Sequence, residues 1–370
     1  MSKRDQVQNE ALEKALKHSR CGLGISMGVG KTLIGLKYID HLQGHNMGML
    51  RVLVVAPKLS IFDSWKDDAA KFGINIDRIT FTTYLSLNKL SPKDYEIIVL
   101  DECHSLLYSH KEFLDEFEGR ILGLTGTPPR FNNSEKGEMV QRFCPIIYKY
   151  ITDEAVEANI LNDYHIVVHL LNLSPHKTIP MEFKGKRWKT SEIESYYYWT
   201  NRVNESSTAK QKQINSIMRM KTLMNFVTKE TYTLKLLSNI EEKCIVFANT
   251  QDQADKLCNY SYHSGNPDSE ENLEMFKRGN ITQLSCVLQL NEGVNIPNLK
   301  EGIIMHAYGN ERKSSQRIGR LLRLNPDDKA TVHVLCYAGT IDESWTKSAL
   351  KDFDQSKITY IKENEQILKL

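Results

Sequence analysis

The segment Ser26-Met27-Gly28-Val29-Gly30-Lys31-Thr32 has the residue types needed to hold a chain of phosphates. Glycines let the backbone turn tightly, so that successive N–H groups point at phosphate oxygens. A helix opening after such a turn adds the positive end of its dipole. Lys31 is placed to reach the β- and γ-phosphates, and the Thr32 hydroxyl to ligate Mg2+. The strict pattern GxxxxGK[ST] is not met, because Ile25 stands at the first glycine position. A second group, Asp101-Glu102-Cys103-His104, closes the apolar run Glu96–Leu100. A carboxylate at the carboxyl edge of a parallel strand lies where open α/β sheets bind ligands. There Asp101 would hold Mg2+, directly or through water, and Glu102 would polarise the water that attacks the γ-phosphorus. A third group, Gln316-Arg317-Ile318-Gly319-Arg320-Leu321-Leu322-Arg323, reads as a helix. Arg320 and Arg323 are three apart and share a face, and two guanidiniums on one face can clamp a transferring phosphoryl group. Singly, each group has a plain structural reading: a helix-capping turn, a solvated acidic loop, a basic helix face. Together they point to nucleoside triphosphate hydrolysis.

Such groups need strand ends and helix starts to hold them. Short Val/Ile/Leu-rich runs recur at Arg51–Ala56, Glu96–Leu100, Arg120–Leu124, Lys243–Phe247, Gly302–Met305 and Thr331–Cys336. Continuous apolar runs fit strands buried on both faces of a parallel sheet. Between them lie segments of helical period. Leu33, Ile34, Tyr38 and Leu42 form one stripe, and Ile61, Trp65, Ala69 and Phe72 another. Strands alternating with helices predict an α/β architecture.

At 370 residues the chain is long enough for two domains. With 41% hydrophobic and 25% charged residues it has the composition of an ordinary globular protein. No uncharged apolar run reaches the ~18 residues of a membrane-spanning helix, so no membrane role is expected. The opening MSKRDQVQNE has no apolar stretch after its basic residues, so no secretory leader is expected either. Seven scattered cysteines, none spaced CxxC, favour a reducing compartment, the cytoplasm, over a disulfide framework or a zinc site. A net charge of +2 identifies no partner; a nucleic-acid surface would have to come from local clustering.

In their order along the chain these groups resemble the motifs of the superfamily 2 helicases and translocases, and the resemblance covers nearly the whole sequence. Gln8 resembles the adenine-reading glutamine upstream of motif I, and Ser26–Thr32 the MGxGKT form of motif I. Pro57 and Lys58, in Val54–Lys58 with Trp65 following, look like motif Ia, and Thr83 and Tyr84, in Phe81–Tyr84, like motif Ib. Asp101–His104 resembles motif II and Leu124–Pro129 the LTGTP form of motif III. Ile245–Phe247 is similar to motif IV, Leu290–Pro297 to motif V, and Gln316–Arg323 to motif VI. Besides Ile25, two positions depart from the usual pattern. Asn295 replaces an acid two residues after Gly293, though its amide still hydrogen-bonds a ribose hydroxyl, and Val7 stands directly before Gln8 where an upstream aromatic is usual.

The resemblance implies two tandem RecA-like domains, each a mainly parallel sheet flanked by helices, with ATP and Mg2+ in the cleft between them. It implies that Met27, Gly28, Val29 and Gly30 bind nucleotide with Lys31 and Thr32, that Gln316 joins Arg320 and Arg323 at the phosphates, and that Gly293 and Asn295 lie on the nucleotide. It further implies that His104, Thr125 and Thr127 couple the nucleotide to the nucleic-acid side, and that Pro57, Lys58, Thr83 and Tyr84 touch the strand. The expected layout is a first RecA-like domain at 1–150, an inter-domain crossing at 151–172, a basic aromatic insertion at 173–225, and a second RecA-like domain with a C-terminal helix at 226–370. The block from Leu290 to Leu335 looks closest to compact DNA helicases of bacteriophages and large DNA viruses. The expected partner is therefore DNA (single-stranded, forked or branched), with replication or recombination proteins, in a bacterial host cytoplasm. An RNA helicase and a duplex translocase that does not separate strands are the alternatives.

The stretch Ser174–Lys221 breaks the strand–helix rhythm and has no obvious strand ladder. It holds ten Lys/Arg against four Glu, interleaved with Phe183, Trp188 and Tyr196–Trp199. Two readings stand. In one, Lys184, Lys186, Arg187 and Trp188 contact nucleic acid, the cations neutralising phosphate and the aromatic stacking on bases. In the other, the aromatics pack the insertion onto its domain and the lysines are solvated. The histidine pairs His41/His45 and His165/His169 have HxxxH spacing but lack the glutamate of a zinc site, and are expected to be structural.

Overall fold

The computed structural model describes residues 2–129, 131–287, 296–306, 328–351 and 353–362. Contacts divide the chain into two compact units, with the main break between Asp163 and Tyr164.

The first unit opens with α1 (Lys3–Leu16) and builds on β1 (Arg20–Ile25), α2 (Lys31–His45), β2 (Val52–Ala56), α3 (Ile61–Phe72), β3 (Ile79–Thr83), β4 (Ile97–Asp101), α4 (Lys111–Glu116), β5 (Arg120–Thr125), α5 (Glu135–Phe143), β6 (Ile146–Tyr150) and α6 (Thr152–Glu157). Its six strands run in the order β3-β2-β4-β5-β1-β6, every neighbouring pair parallel. Every residue of β2 and β4 is buried, as a strand covered on both faces by helices requires. Because all strands point one way, the loops after β1, β2, β3, β4 and β5 open on one edge. The chain passes from β1 out to β2 and returns through β4 and β5, so the order reverses beside β1, where such sheets bind ligands.

The second unit contains β7 (Asp163–Leu171), β8 (Ile179–Phe183), β9 (Lys186–Thr190), α7 (Glu192–Asn204), α8 (Ala209–Met224), α9 (Val227–Leu237), β10 (Cys244–Ala248), α10 (Gln251–Leu257), β11 (Ser261–Tyr262), α11 (Ser269–Arg278), β12 (Gln283–Val287), β13 (Glu301–Ile304), β14 (Lys329–Tyr337), the helix Ile341–Leu350 and β15 (Ile358–Lys362). Seven strands form one sheet, in the order β11-β12-β10-β13-β14-β7-β15. All six apolar runs singled out in the sequence are strands. Among the described residues no helix is long and apolar enough to cross a membrane, and all seven cysteines are buried and free.

The insertion differs from its reading as a region without strands. Strands β8 and β9 form an antiparallel hairpin with Phe183 opposite Lys186, joined by Lys184 and Gly185 at φ 49° and 78°. Two central residues at positive φ define the turn whose twist suits a two-residue hairpin. Its alternation was hidden because both faces carry charge. Part of the packing reading holds as well. Tyr196 is buried, and its hydroxyl accepts a hydrogen bond from the Ile341 N–H at 2.9 Å.

Two buried polar devices fix the second sheet. Lys229, fully buried on α9, donates to Met305 O (2.7 Å) and Leu335 O (2.9 Å) and pairs with Asp342 at 2.6 Å. One ammonium thus ties the ends of two strands to the helix Ile341–Leu350. His169 meets the Tyr232 hydroxyl through Nδ1 at 2.8 Å and His333 Nδ1 through Nε2 at 2.9 Å, and His333 Nε2 meets Glu301 at 3.1 Å. His165 meets the Thr359 hydroxyl at 2.8 Å, and the exposed His41 and His45 rings pack edge to face at 4.6 Å.

Burial, aided by the neighbouring His333, pushes the His169 imidazole from the ordinary 6.5 down to about 3. Between those values the unfolded chain holds the proton and the folded chain does not, so acid destabilises this unit. Denaturant unfolding from pH 7 to pH 4 should show stability falling steadily, and His169→Gln, though weaker at pH 7, should show a shallower fall. Equal slopes for the two proteins would contradict the assignment.

Candidate active site

Strand β1 delivers the chain to the turn at Ser26–Gly30. Ile25, at the missing first glycine, is the last strand residue and is fully buried, so it belongs to the core and leaves the turn itself intact. Gly28 and Gly30 adopt φ of 86° and 102°, a region open to glycine without strain. Gly30 precedes α2, and no side chain caps that helix start, so its first N–H groups are left for a ligand. Gln8 braces the turn from behind. Its Nε2 donates to Val29 O at 2.8 Å, its Oε1 accepts from Lys37 Nζ at 3.1 Å, and a Cβ at position 30 would sit 2.5 Å from that Nε2.

Strand β4 carries Asp101 to the same edge. Three groups fix it: the Trp65 indole N–H donates to Oδ2 at 2.9 Å, the Glu102 N–H to Oδ1 at 2.9 Å, and the Tyr84 hydroxyl to the Asp101 carbonyl at 2.9 Å. Trp65 approaches this closely because α2 has a glycine beneath it; a Cβ at Gly35 would lie 2.5 Å from the ring. Glu102 takes φ 48° and ψ 52°, a left-handed conformation that costs on the order of 1–3 kcal/mol for a residue other than glycine. That twist turns its carboxylate toward Lys31 Nζ at 3.9 Å and His104 Nδ1 at 3.3 Å. His104 Nδ1 also meets the Thr125 hydroxyl at 2.8 Å, and that hydroxyl accepts from the Thr127 N–H at 3.1 Å.

The two buried carboxyls are held at different acidities. Burial raises Asp101 above the carboxylate range, and the neighbouring Glu102 charge adds to this. Burial also pushes Glu102 up, but the Lys31 ammonium, His104 and the Gly126 N–H outweigh it and hold the group low. Adjacent carboxyls pushed apart in this way can take different roles. Glu102 stays ionised and can orient a water. Asp101, short of positive charge, suits a cation. Among the described residues no cluster of three or more His, Cys, Asp or Glu would hold a metal alone. One carboxylate and the Thr32 hydroxyl, with phosphates completing the shell, fit the way Mg2+ is bound beside nucleotides.

The structure thus brings together Gln8, Met27–Thr32, Asp101, Glu102, His104, Thr125 and Thr127. Pro57 and Lys58 follow β2 and Thr83 ends β3, on the same edge and partly exposed. Tyr84 requires a correction. Its side chain is buried and its hydroxyl is spent on Asp101 O, so it braces the acidic box and does not face a nucleic acid. Gln316, Arg320, Arg323, Gly293 and Asn295 lie outside the described residues. The bond from Trp65 to Asp101 was not legible in the sequence, where Trp65 read as one apolar position of a helical stripe; the only available signal is that buried tryptophans seek a partner for the indole N–H.

This fold and site define a tandem RecA-like nucleotide hydrolase. Residues 2–130 match the family model described as Type III restriction enzyme, res subunit, and residues 222–325 the one described as Helicase conserved C-terminal domain. The chain is 25% identical over 369 residues to a DNA 3'-5' translocase, XPB2, of Sulfurisphaera tokodaii, covering 90% of this chain and 82% of that protein. Among solved structures it is similar to the Type ISP restriction-modification enzyme LlaBIII bound to DNA, with a TM-score of 0.63 and 13% identity over 98% of this chain and 31% of that one. It is also similar to the Hef helicase domain of Pyrococcus furiosus, with a TM-score of 0.51 and 16% identity over 94% of this chain and 99% of that one. The two family matches and the translocase relative support an ATP-hydrolysing enzyme of the superfamily 2 helicase type.

A hydrogen bond to a charged group contributes about 1.5–3 kcal/mol. Trp65→Phe keeps an aromatic ring, though a smaller one, and removes the donor, so ATP turnover should fall roughly ten- to hundredfold and the Mg2+ titration should shift to higher concentration. Turnover and Mg2+ requirement both unchanged would show that the indole only packs.

Proposed function

We propose that this chain is an ATP-dependent motor on DNA, a helicase or translocase. The observation that carries the proposal is the unbroken polar line Lys31–Glu102–His104–Thr125–Thr127, which runs from the phosphate turn along the sheet edge that also bears Pro57, Lys58 and Thr83. Lys31 and the N–H groups of the turn bind the triphosphate, and Gln8 keeps that turn in shape. Thr32 and Asp101 would hold Mg2+, which when bound withdraws charge from the phosphate oxygens. Glu102 orients the attacking water, and Gln316, Arg320 and Arg323 neutralise the transferring phosphoryl group. Loss of the γ-phosphate changes what Lys31 and Glu102 face. Through His104, Thr125 and Thr127 that change reaches the loop after β5. Stepping then draws on the difference in DNA affinity between nucleotide states.

Pro57, Lys58 and Thr83, together with Lys184, Lys186, Arg187 and Trp188 of the insertion, are the proposed DNA contacts. Gly293 and Asn295 are proposed to border the nucleotide. From the motif forms alone we propose a phage-encoded enzyme working on forked or branched DNA beside replication, recombination or repair proteins in the host cytoplasm. The domain layout proposed is that of 1–150, 151–172, 173–225 and 226–370. A second reading, movement on duplex without strand separation, is favoured by the MGxGKT and LTGTP forms and by the likeness to a DNA translocase.

Steady-state ATP hydrolysis, measured alone and with single-stranded, duplex and forked DNA and single-stranded RNA, tests this. Stimulation should be strongest with single-stranded or forked DNA. Stimulation mainly by plain duplex would favour the translocase, and mainly by RNA would overturn the DNA reading.

A further inference from the structure

Every residue from Met181 to Lys189 is exposed, whereas Thr190, Ser191 and Glu192 at the foot of the hairpin are buried. The foot is clamped. Glu192 accepts from the Ser174 N–H at 2.9 Å and from the Thr228 hydroxyl at 2.8 Å, tying the insertion to the start of α9. Glu194 accepts from the Thr190 hydroxyl at 3.1 Å and pairs with Lys177 at 2.9 Å. The tip therefore projects from a fixed base.

Directly opposed residues of an antiparallel pair point to the same face. Met181 lies opposite Trp188 and Phe183 opposite Lys186, so three large apolar side chains and one ammonium share one side of the ribbon. They are 41%, 64% and 47% exposed for Met181, Phe183 and Trp188, leaving aromatic faces in water. Of the cations, Arg187 is held by Glu182 at 2.9 Å on the opposite face. Lys184, Lys186 and Lys189 pair with no carboxylate among the described residues. Of the insertion's four Glu, Glu192 and Glu194 are engaged at the foot, Glu182 on Arg187, and Glu205 lies at the far end of α7, so the tip keeps its positive charge.

Aromatic rings flanked by ammonium groups that no carboxylate neutralises among the described residues, Lys184 lying 5.4 Å over the Phe183 ring, match a nucleic-acid strand whose bases are unpaired, with ring on base and lysine on phosphate. Plain duplex offers the lysines phosphate but hides the base faces. We propose that the β8–β9 hairpin is a stacking element for unpaired bases at a junction between single- and double-stranded DNA, with Trp188 and Phe183 on the bases, and with Lys186 on that face and Lys184 at the turn on the adjoining phosphates. This rests on the DNA-motor reading and adds the substrate class: forked DNA in preference to blunt duplex.

The test uses the full chain and a fork carrying 2-aminopurine at its first unpaired positions, with a blunt duplex of the same length. Wild-type protein should quench the probe and prefer the fork. In Trp188→Ala and Phe183→Ala the quenching should be lost, and the ratio of fork to duplex affinity should fall roughly tenfold, the scale of one lost base–aromatic contact. Trp188→Phe should restore much of both. Replacing Lys184 and Lys186 by Ala should weaken binding to both DNAs and flatten its salt dependence. Quenching and affinity ratio unchanged in the two alanine variants would overturn the hairpin proposal. So would a change in oligomeric state in those variants, which would mark the ribbon as an interface between copies. A wild-type protein that bound neither DNA would overturn the motor reading and the hairpin with it.

Discussion

Asp101 and Glu102 are adjacent carboxyls, both buried, at the open end of a parallel strand. Two negative charges taken out of water together are costly unless donors and cations meet them. Much of the first unit answers that constraint. The loop after β1 supplies Lys31, the helix after β2 supplies the Trp65 indole, the turn after β3 supplies the Tyr84 hydroxyl, and the end of β5 supplies Thr125. The strand order places those ends along one edge, so each connection delivers one group to the same pair. The backbone contributes too: the left-handed turn at Glu102 points one carboxylate toward Asp101's donors and the other toward Lys31 and His104.

That arrangement also explains how chemistry and movement can share one edge. Of the groups that hold Glu102 ionised, Lys31 faces the phosphate turn and His104 connects onward to Thr125, whose hydroxyl meets the Thr127 N–H. In the mechanism proposed above, a change in charge at the phosphates reaches the loop after β5 through these contacts. In the second unit Lys229 does for β13 and β14 what the donors do for β4. It places one positive charge on the carbonyls at the strand ends and anchors it with Asp342.

Much of this was legible in the sequence, for identifiable reasons. Strands buried on both faces must be continuous apolar runs, so the strands that carry Asp101 and Thr125 announce themselves. The phosphate turn is legible because glycine types its backbone and lysine its ligand. Contacts formed at a distance left no mark. Nothing in the spacing tells that the Trp65 N–H meets Asp101. Tyr84 sits at the expected strand end, but sequence position does not say whether a side chain points outward or, as here, into the core. Lys229 gave no sign in the sequence, since lysines are almost never fully buried. The β8–β9 hairpin escaped because its alternation is short and broken: Ile179, Met181 and Phe183 alternate, but Lys186 stands on the same face of the second strand.

The account turns on Glu102 being the ionised group that orients the attacking water while Lys31 and the phosphate turn bind the nucleotide independently of it. The most direct measurement is single-turnover ATP hydrolysis by Glu102→Gln, with nucleotide affinity measured in parallel. The amide keeps the shape and loses the charge. The expected result is ATP affinity within a few-fold of wild type and hydrolysis slowed by roughly a hundred- to ten-thousandfold, the usual contribution of a positioned base. Hydrolysis near the wild-type rate would contradict the account.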